Sequence, residues 1–320
     1  MPERDALIRD FLAGQGFGAA RRLPLAGDAS VRRYERLVGG PRPAVLMDAP
    51  PGQIDLAPFL RVGNWLRGLG LSAPEVLVAD PATGLALLED FGDDLLNRVL
   101  AAGGDELSFY STAVDLLVRL QRAPPPDGLP PYNDAKMLAE ASLLTEWYEP
   151  DLGAPAGADY LAIWRVVLPA ARVGEDCVVY VDYHADNLLW LPARAGLARI
   201  GLLDFQDARI GPPAYDLVSL LEDARRDVGR SLAEAMTERY LAARPELDAS
   251  AFRAAYAVLG AQRNAKILGL FTRLARRDGK GAYLDLLPRV LSYLRGDLEH
   301  PVLAPLRAWF ERHLQLKVEA

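Results

Sequence analysis

The sequence predicts an α+β fold in two parts: a small N-terminal lobe built on an antiparallel sheet, then a larger, mostly helical C-terminal lobe. Three observations carry this expectation. Short apolar runs bounded by Gly, Pro and Asp recur through the first 90 residues. Apolar residues at helical spacing dominate after that point. The 320 residues, 51% hydrophobic and 25% charged, suffice for one large or two smaller packed units. The character changes at Asp90, which divides the chain into 1–90 and 91–320.

Taken in order, DALIRDFLA has helical spacing. The GQGFGA that follows matches a loose dinucleotide fingerprint through Gly14, Gly16 and Ala19. It follows a helix and not a strand, however, so it reads as a helix C-cap. Residues 21–25 and 31–38 read as strands joined by the tight turn AGDAS, and PAVLMDAPP as a third strand closed by prolines. Residues 56–69 are helical, and EVLVAD and LALLED supply two more strands. Beyond Asp90, DELSFYSTAVDLLVRLQR is a helix and PPPDGLPPY a loop. Helices are expected over 134–148, 159–173, 216–227, 249–275 and 281–295, with only the strands CVVYV, LLWL and ARIGLLDF between them.

Composition removes several functional classes. A net charge of −7 and the lack of any Lys/Arg cluster interleaved with aromatics argue against a nucleic-acid partner. No apolar run approaches the roughly 18 residues of a membrane span, and the N-terminus has no secretory pattern. Cys177 is the single cysteine, so no intrachain disulfide forms and a cytoplasmic location is expected. With three histidines (His184, His300, His313) the chain cannot build the usual structural zinc site. Neither a phosphate-binding G-x-x-x-x-G-K-[ST] loop nor a G-x-S-x-G elbow occurs. Nothing indicates an obligate protein partner.

The stretch VVYVDYHADNLLWL, residues 178–191, puts polar residues in the neck between two apolar strands. Asp182 and Asn187 stand in D-x-x-x-x-N spacing, and the next apolar strand ends in Asp204-Phe205. This is the arrangement of the catalytic and metal loops of kinases. Phosphoryl transfer needs a hydroxyl aimed in line and cations on the phosphates. Asp182 would accept the proton of the attacking hydroxyl, and Asn187 and Asp204 would offer hard oxygens to Mg2+. The plain alternative is a polar hairpin loop whose side chains bond their own backbone.

VDYHADNLLWL and IGLLDFQDARIGPPAYDLVSLLEDARRD resemble the aminoglycoside phosphotransferase/choline kinase superfamily of protein-kinase-like small-molecule kinases. GDASVRRYERL, VLMDAPP and QRNAKILGLFTRLARRDGK further resemble its bacterial subgroup acting on the anomeric hydroxyl of N-acetylmuramate and N-acetylglucosamine in cell-wall recycling. The resemblance covers roughly residues 5–300. It implies a two-lobed protein-kinase-like fold, ATP and Mg2+ as cofactors, and a small sugar as substrate. It also implies an adenine edge on the backbone at Glu89, Asp90 and Phe91.

The chain departs from that pattern in two places. The superfamily usually has His-Gly or His-Arg before the catalytic Asp, where Tyr180 and Val181 stand here. Met47 occupies the place of the phosphate-binding lysine; the first 135 residues contain no lysine, and helix 56–69 no glutamate. The phosphates are therefore expected on the backbone of Gly27, Asp28, Ala29 and Ser30, with Arg32 or Arg33. Acceptor candidates are His184, Glu222, Asp223, Arg263 and Lys266, the last two sharing a helix face at i,i+3. Asp216, after two prolines and Tyr215, reads as an N-cap. Another alcohol as acceptor (aminoglycoside, homoserine or choline), or a nucleotide-binding pseudokinase scaffold, remains open at this level.

Overall fold

The computed structural model describes residues 2–25 and 32–314. In chain order the elements are α1 (Pro2–Gly14), β1 (Arg21–Pro24), β2 (Arg33–Val38), β3 (Ala44–Asp48), α2 (Ala57–Gly68), β4 (Val76–Asp80), β5 (Leu85–Glu89), α3 (Leu96–Ala101), α4 (Glu106–Gln121) and α5 (Asp134–Ala141). A π-helical turn (Leu144–Tyr148) precedes α6 (Gly153–Val167), β6 (Cys177–Val179), β7 (Leu188–Trp190), β8 (Ile200–Leu202) and β9 (Arg209–Gly211). The chain continues through α7 (Ala214–Leu221), α8 (Arg230–Ala243), α9 (Ala249–Asp278), α10 (Leu287–Leu298) and α11 (Ala304–Leu314). Two compact units result, one of residues 1–99 and 188–207, the other of 100–187 and 208–320.

The first unit is organised by a five-stranded sheet of order β1-β2-β3-β5-β4, every neighbour antiparallel. All five residues of β3 are buried, as a central strand covered on both faces requires. Ile8, Leu12 and Phe17 pack with Leu37, Leu46, Leu85 and Leu87, so α1 closes one side of this core. The α1 terminus is the expected cap. Phe17 N–H bonds Leu12 O at 2.8 Å, Gly16 N–H bonds Ala13 O at 3.1 Å, and Gly16 takes φ 80°. A left-handed residue at that position favours glycine. In α2, Phe59, Val62, Gly63 and Leu66 form the buried stripe of an amphipathic helix. β7 and β8 pair as a hairpin within this same unit.

The second unit is helical around α9, with β6 and β9 as a small antiparallel pair. Asp248 caps α9 by accepting from Ala251 N–H at 2.7 Å. A Cβ on Gly269 would lie 2.1 Å from the Leu143 carbonyl oxygen, so α9 presses backbone to backbone against the chain entering the π-helical turn. Among the described residues, no helix is long and apolar enough to cross a membrane.

Several elements differ from the sequence reading. Helix 134–148 breaks into α5 and the π-helical turn, 216–227 ends at Leu221, and 281–295 begins as a 3-10 turn. β9 is an added strand, too short at three residues for a periodic signal. α3, α8 and α11 are added helices. α8 buries only Met236, Thr237, Tyr240 and Leu241 among its fourteen residues, too sparse a stripe to stand out.

Candidate active site

In the helical unit, β6 delivers the chain to Tyr180 and Val181, and Val181 takes φ 78°. A β-branched residue in that region is strained. The strain falls where the superfamily pattern often has glycine. Asp216 holds it in place: its Oδ2 accepts from Tyr180 N–H at 2.6 Å and its Oδ1 from Val181 N–H at 2.9 Å. Ser219 Oγ adds a bond to Val181 O at 3.3 Å. Asp216 is therefore not the N-cap the sequence suggested. The N-cap of α7 is Pro213, and Asp216 lies inside the helix at 0% exposure. Burial pushes its carboxyl up to about 7 against the pull of the two N–H groups, with Asp182 adding to the rise. Asp182, the next residue, begins the loop this anchor supports.

Asn187 closes the loop. Its Nδ2 donates to Asp182 O at 3.0 Å and lies 3.3 Å from His184 Nε2, which leaves Oδ1 as the atom to face a cation. His184 is buried at 5% exposure and stands against Asn187. Burial, reinforced by Arg225 and Arg263, holds its pKa well below the ordinary histidine value. A neutral ring carrying its proton on Nδ1 lets Nε2 accept from the Asn187 amide. Asp223 braces the loop from α7's end, accepting from Ala185 N–H at 3.2 Å and Arg225 N–H at 2.8 Å.

In the sheet unit, β8 leads to Asp204, whose φ of 61° again places a non-glycine residue in the left-handed region. The neighbouring Phe205 anchors it, stacking on Phe59 at 4.9 Å between ring centroids above Gly63, where a Cβ would meet the ring at 3.2 Å. The Asp204 carboxylate is 44% exposed, and Arg32 Nη1 stands 3.8 Å from Oδ1. Tyr34 belongs to the same group. Burial pushes its hydroxyl up to about 12, with Arg32 pulling down and Asp204 pushing up. Arg33, by contrast, is exposed at the start of β2. Met47 is fully buried between Tyr34 and Ala86 in register and offers nothing to a phosphate.

Gly27, Asp28, Ala29 and Ser30 lie outside the described residues. At the end of β5, Glu89 N–H bonds Glu75 O at 2.8 Å and Arg194 bonds the Glu89 carboxylate at 2.5 Å. Arg36 grips Asp90 through two bonds, at 2.7 and 3.0 Å, and Arg194 covers the Phe91 ring at 4.9 Å. These contacts make the Glu89–Phe91 segment a rigid stretch.

The helical unit also collects charge that sequence spacing did not reveal. Lys266 bonds Glu140 at 3.2 Å, Lys136 bonds the same oxygen at 3.1 Å, and Tyr132 donates to the other at 2.5 Å. Burial pushes the Glu140 carboxyl up, but Lys266, Tyr132 and Lys136 outweigh it and hold it below its ordinary value. Burial lowers the Lys266 ammonium, while Tyr215, Glu140 and Asp182 more than reverse this, so it stays charged beside Asp182. Arg263 is 5% exposed and bonds Glu222 O at 3.4 Å. Glu222 itself is absorbed into the packing of α7, α9 and α10. Asn264 Nδ2 bridges its carboxyl, at 2.7 Å, to that of Asp297, at 3.0 Å. Of the acceptor candidates, Lys266 is the one whose charge is tied to Asp182, while Arg263, Glu222, Asp223 and His184 each have a hydrogen-bond partner within the helical unit.

Taken singly, Asn187 in the helical unit offers a neutral oxygen and Asp204 in the sheet unit a charged one, both hard donors; among the described residues no group of three or more His, Cys, Asp or Glu forms an all-protein cage. Mg2+ typically takes one or two such side chains and completes its shell with water and phosphate.

Residues 21–250 match the model of the phosphotransferase enzyme family. An N-acetylmuramate/N-acetylglucosamine kinase of Caulobacter vibrioides is 42% identical over 98% of each chain. Its counterpart in Pseudomonas aeruginosa is 33% identical over 94% of this chain and 92% of that one. Among solved structures, a choline/ethanolamine kinase family protein of Mesorhizobium loti superposes with a TM-score of 0.64 at 17% identity, over 97% of this chain and 99% of the other. An ADP-bound aminoglycoside phosphotransferase gives 0.62 at 16% identity, over 90% and 97%. At such identities the two structures speak for the shared protein-kinase-like fold.

Proposed function

Because this chain belongs to the phosphotransferase enzyme family, we propose that it transfers the γ-phosphoryl group of ATP to the anomeric hydroxyl of N-acetylmuramate and N-acetylglucosamine. The names of its 42% and 33% identical relatives support the substrate class. The observation that carries the reading is the pair of ammonium groups, Lys266 and Lys136, that share one Glu140 oxygen, with Lys266 held charged in part by Asp182. Such a surplus suits an acceptor bearing a carboxylate, as N-acetylmuramate does, and repels a polycationic aminoglycoside or choline.

In this mechanism the sugar C1 oxygen attacks the γ-phosphorus, a C1–O–P bond forms, and the bond to the β-phosphate oxygen breaks to release ADP. Asp182 orients the hydroxyl and takes its proton. The Asp216 anchor keeps Asp182 in line, and the His184–Asn187 contact keeps an oxygen turned toward the metal. A magnesium ion on Asn187 and Asp204 would supply charge neutralisation on the phosphates. Arg32, beside Asp204, takes the phosphate-facing place that Met47 leaves vacant, together with the backbone of Gly27–Ser30. Residues 1–90 bind nucleotide, with the segment Glu89–Phe91 at their end as the adenine edge, and the rest of 91–320 binds the sugar. We assign the enzyme to the cytoplasm, where ATP is available.

ADP release measured against N-acetyl sugars, amino alcohols and aminoglycosides, with phosphorus NMR of the product, tests the proposal. Turnover confined to the N-acetyl sugars with a C1 phosphate is expected. A phosphate on any other carbon refutes the anomeric assignment.

A further inference from the structure

Gln206 follows Asp204 by two residues and is buried, although the acids on either side of it are exposed. Its Nε2 donates to Asp204 Oδ1 at 2.7 Å and to Asp207 Oδ2 at 3.1 Å. Its Oε1 has no hydrogen-bond partner among the described residues. Turning the amide over would set Oε1 against two carboxylate oxygens at those same distances. Repulsion therefore fixes the NH2 group on the acids, and a buried acceptor is left unsatisfied to keep it there. A cost of this kind, accepted beside a reactive group, marks a functional site more often than a packing error. Asp204 also sits at φ 61°, a conformation that persists only where its surroundings over-determine it.

We propose that Gln206 is a positioning residue for the metal-facing carboxylate. Its amide ties Asp204 to Asp207, sets which oxygen of Asp204 is turned away from the cation, and screens two neighbouring negative charges from each other. The inference rests on the reading that Asp204 binds magnesium. Sequence spacing gave no hint of it, because a glutamine between two aspartates looks like ordinary loop polarity.

Calorimetric titration of the full chain with ADP, with and without Mg2+, measures how strongly the metal couples to nucleotide binding. Gln206→Leu removes both donors at similar volume. It is expected to lower the Mg2+-dependent gain in ADP affinity by about tenfold, the low end for groups that orient metal ligands, while metal-free ADP affinity stays unchanged. Asp207→Ala, at an exposed residue, is expected to keep the fold and to show a smaller loss in the same direction. It carries the test if circular dichroism shows that Gln206→Leu is unfolded. Wild-type coupling in both folded variants, with Asp204→Ala abolishing coupling, overturns the positioning role and leaves the metal assignment standing. Wild-type coupling in Asp204→Ala overturns the metal assignment itself.

Discussion

Asp216→Asn is the sharpest perturbation of this site. In the wild type its two oxygens accept from Tyr180 N–H and Val181 N–H at 2.6 and 2.9 Å. Above the carboxyl's raised value of about 7, at an assay pH of 8 or higher where Asp216 is ionised, such bonds contribute about 1.5–3 kcal/mol each. They oppose the strain of Val181 at φ 78°, about 1–3 kcal/mol for a non-glycine residue in that region. Support therefore exceeds strain. Asparagine keeps one acceptor and aims an NH2 group at the second N–H. One neutral bond of about 1 kcal/mol and one unsatisfied donor costing about 1–3 kcal/mol leave nothing to offset the strain. The peptide before Asp182 is expected to relax, and a displacement of about 1 Å there costs on the order of 10²-fold in rate.

The assay is kcat by coupled ADP release, with thermal melting as a fold control. Val181→Gly removes the positive-φ penalty but forfeits about 1.5–3 kcal/mol of valine burial, so alone it should be nearly neutral in stability. Combined with Asp216→Asn it should recover about tenfold of the lost kcat, a gain of roughly 1.4 kcal/mol in the barrier. The reasoning is refuted if Asp216→Asn retains kcat within about threefold of wild type, a loss below 1 kcal/mol. It is equally refuted if the double variant is no faster than the single.

Asp182→Asn should lower kcat by about 10²–10⁴-fold with an unchanged melting temperature, because it removes the proton acceptor and nothing from the core; a folded variant with near-normal kcat would reassign the base. Lys266→Met, paired with Glu140→Gln so that no acid is left buried without its partner, should reduce kcat/KM for N-acetylmuramate by about 10–10²-fold, the equivalent of one bond to a charged group. N-acetylglucosamine, which lacks the carboxylate, should be affected far less, and an equal loss on both sugars argues against carboxylate recognition. Glu222 and Asp297 bear on pH. Burial raises both carboxyls above their ordinary range, so the folded chain keeps protons that the unfolded chain releases. Their contribution to stability is therefore present at acid pH and declines as pH rises above about 4.5, by about 1.4 kcal/mol per unit for each retained proton. Glu222→Gln should gain stability relative to wild type as pH rises from 5 to 8 in chemical denaturation, and a pH-independent difference contradicts the burial-raised Glu222 carboxyl. Finally, Gly269→Ala would set a Cβ 2.1 Å from the Leu143 carbonyl, so overpacking of about 1–3 kcal/mol should lower Tm by several degrees; an unchanged Tm means that α9 and the π-helical turn are not tightly apposed.

Much of the fold was legible because periodicity is a local property. The five strands of the sheet stood out by short apolar runs between Gly, Pro and Asp, and the C-cap at Gly16 by its position after a helical stripe. β9 and α8 were not, since three residues carry no period and a stripe of four buried residues in fourteen is faint. The acid–amide spacing of Asp182, Asn187 and Asp204 was visible because each lies at the end of an apolar strand, and strand ends can be read from sequence. The arrangement around them was decided by tertiary contacts. Asp216 reads as a cap from its neighbours in sequence, yet its partners are 36 and 35 residues away. Lys266 meets Glu140 across 126 positions, and Gln206 shows its role only through the direction in which its amide points. Sequence determined which oxygens this protein has available for phosphoryl transfer, since residue type and local period suffice for that. Only the folded chain decided what holds those oxygens, because a buried charge or a strained peptide is stabilised by whichever distant group the packing brings within hydrogen-bond reach.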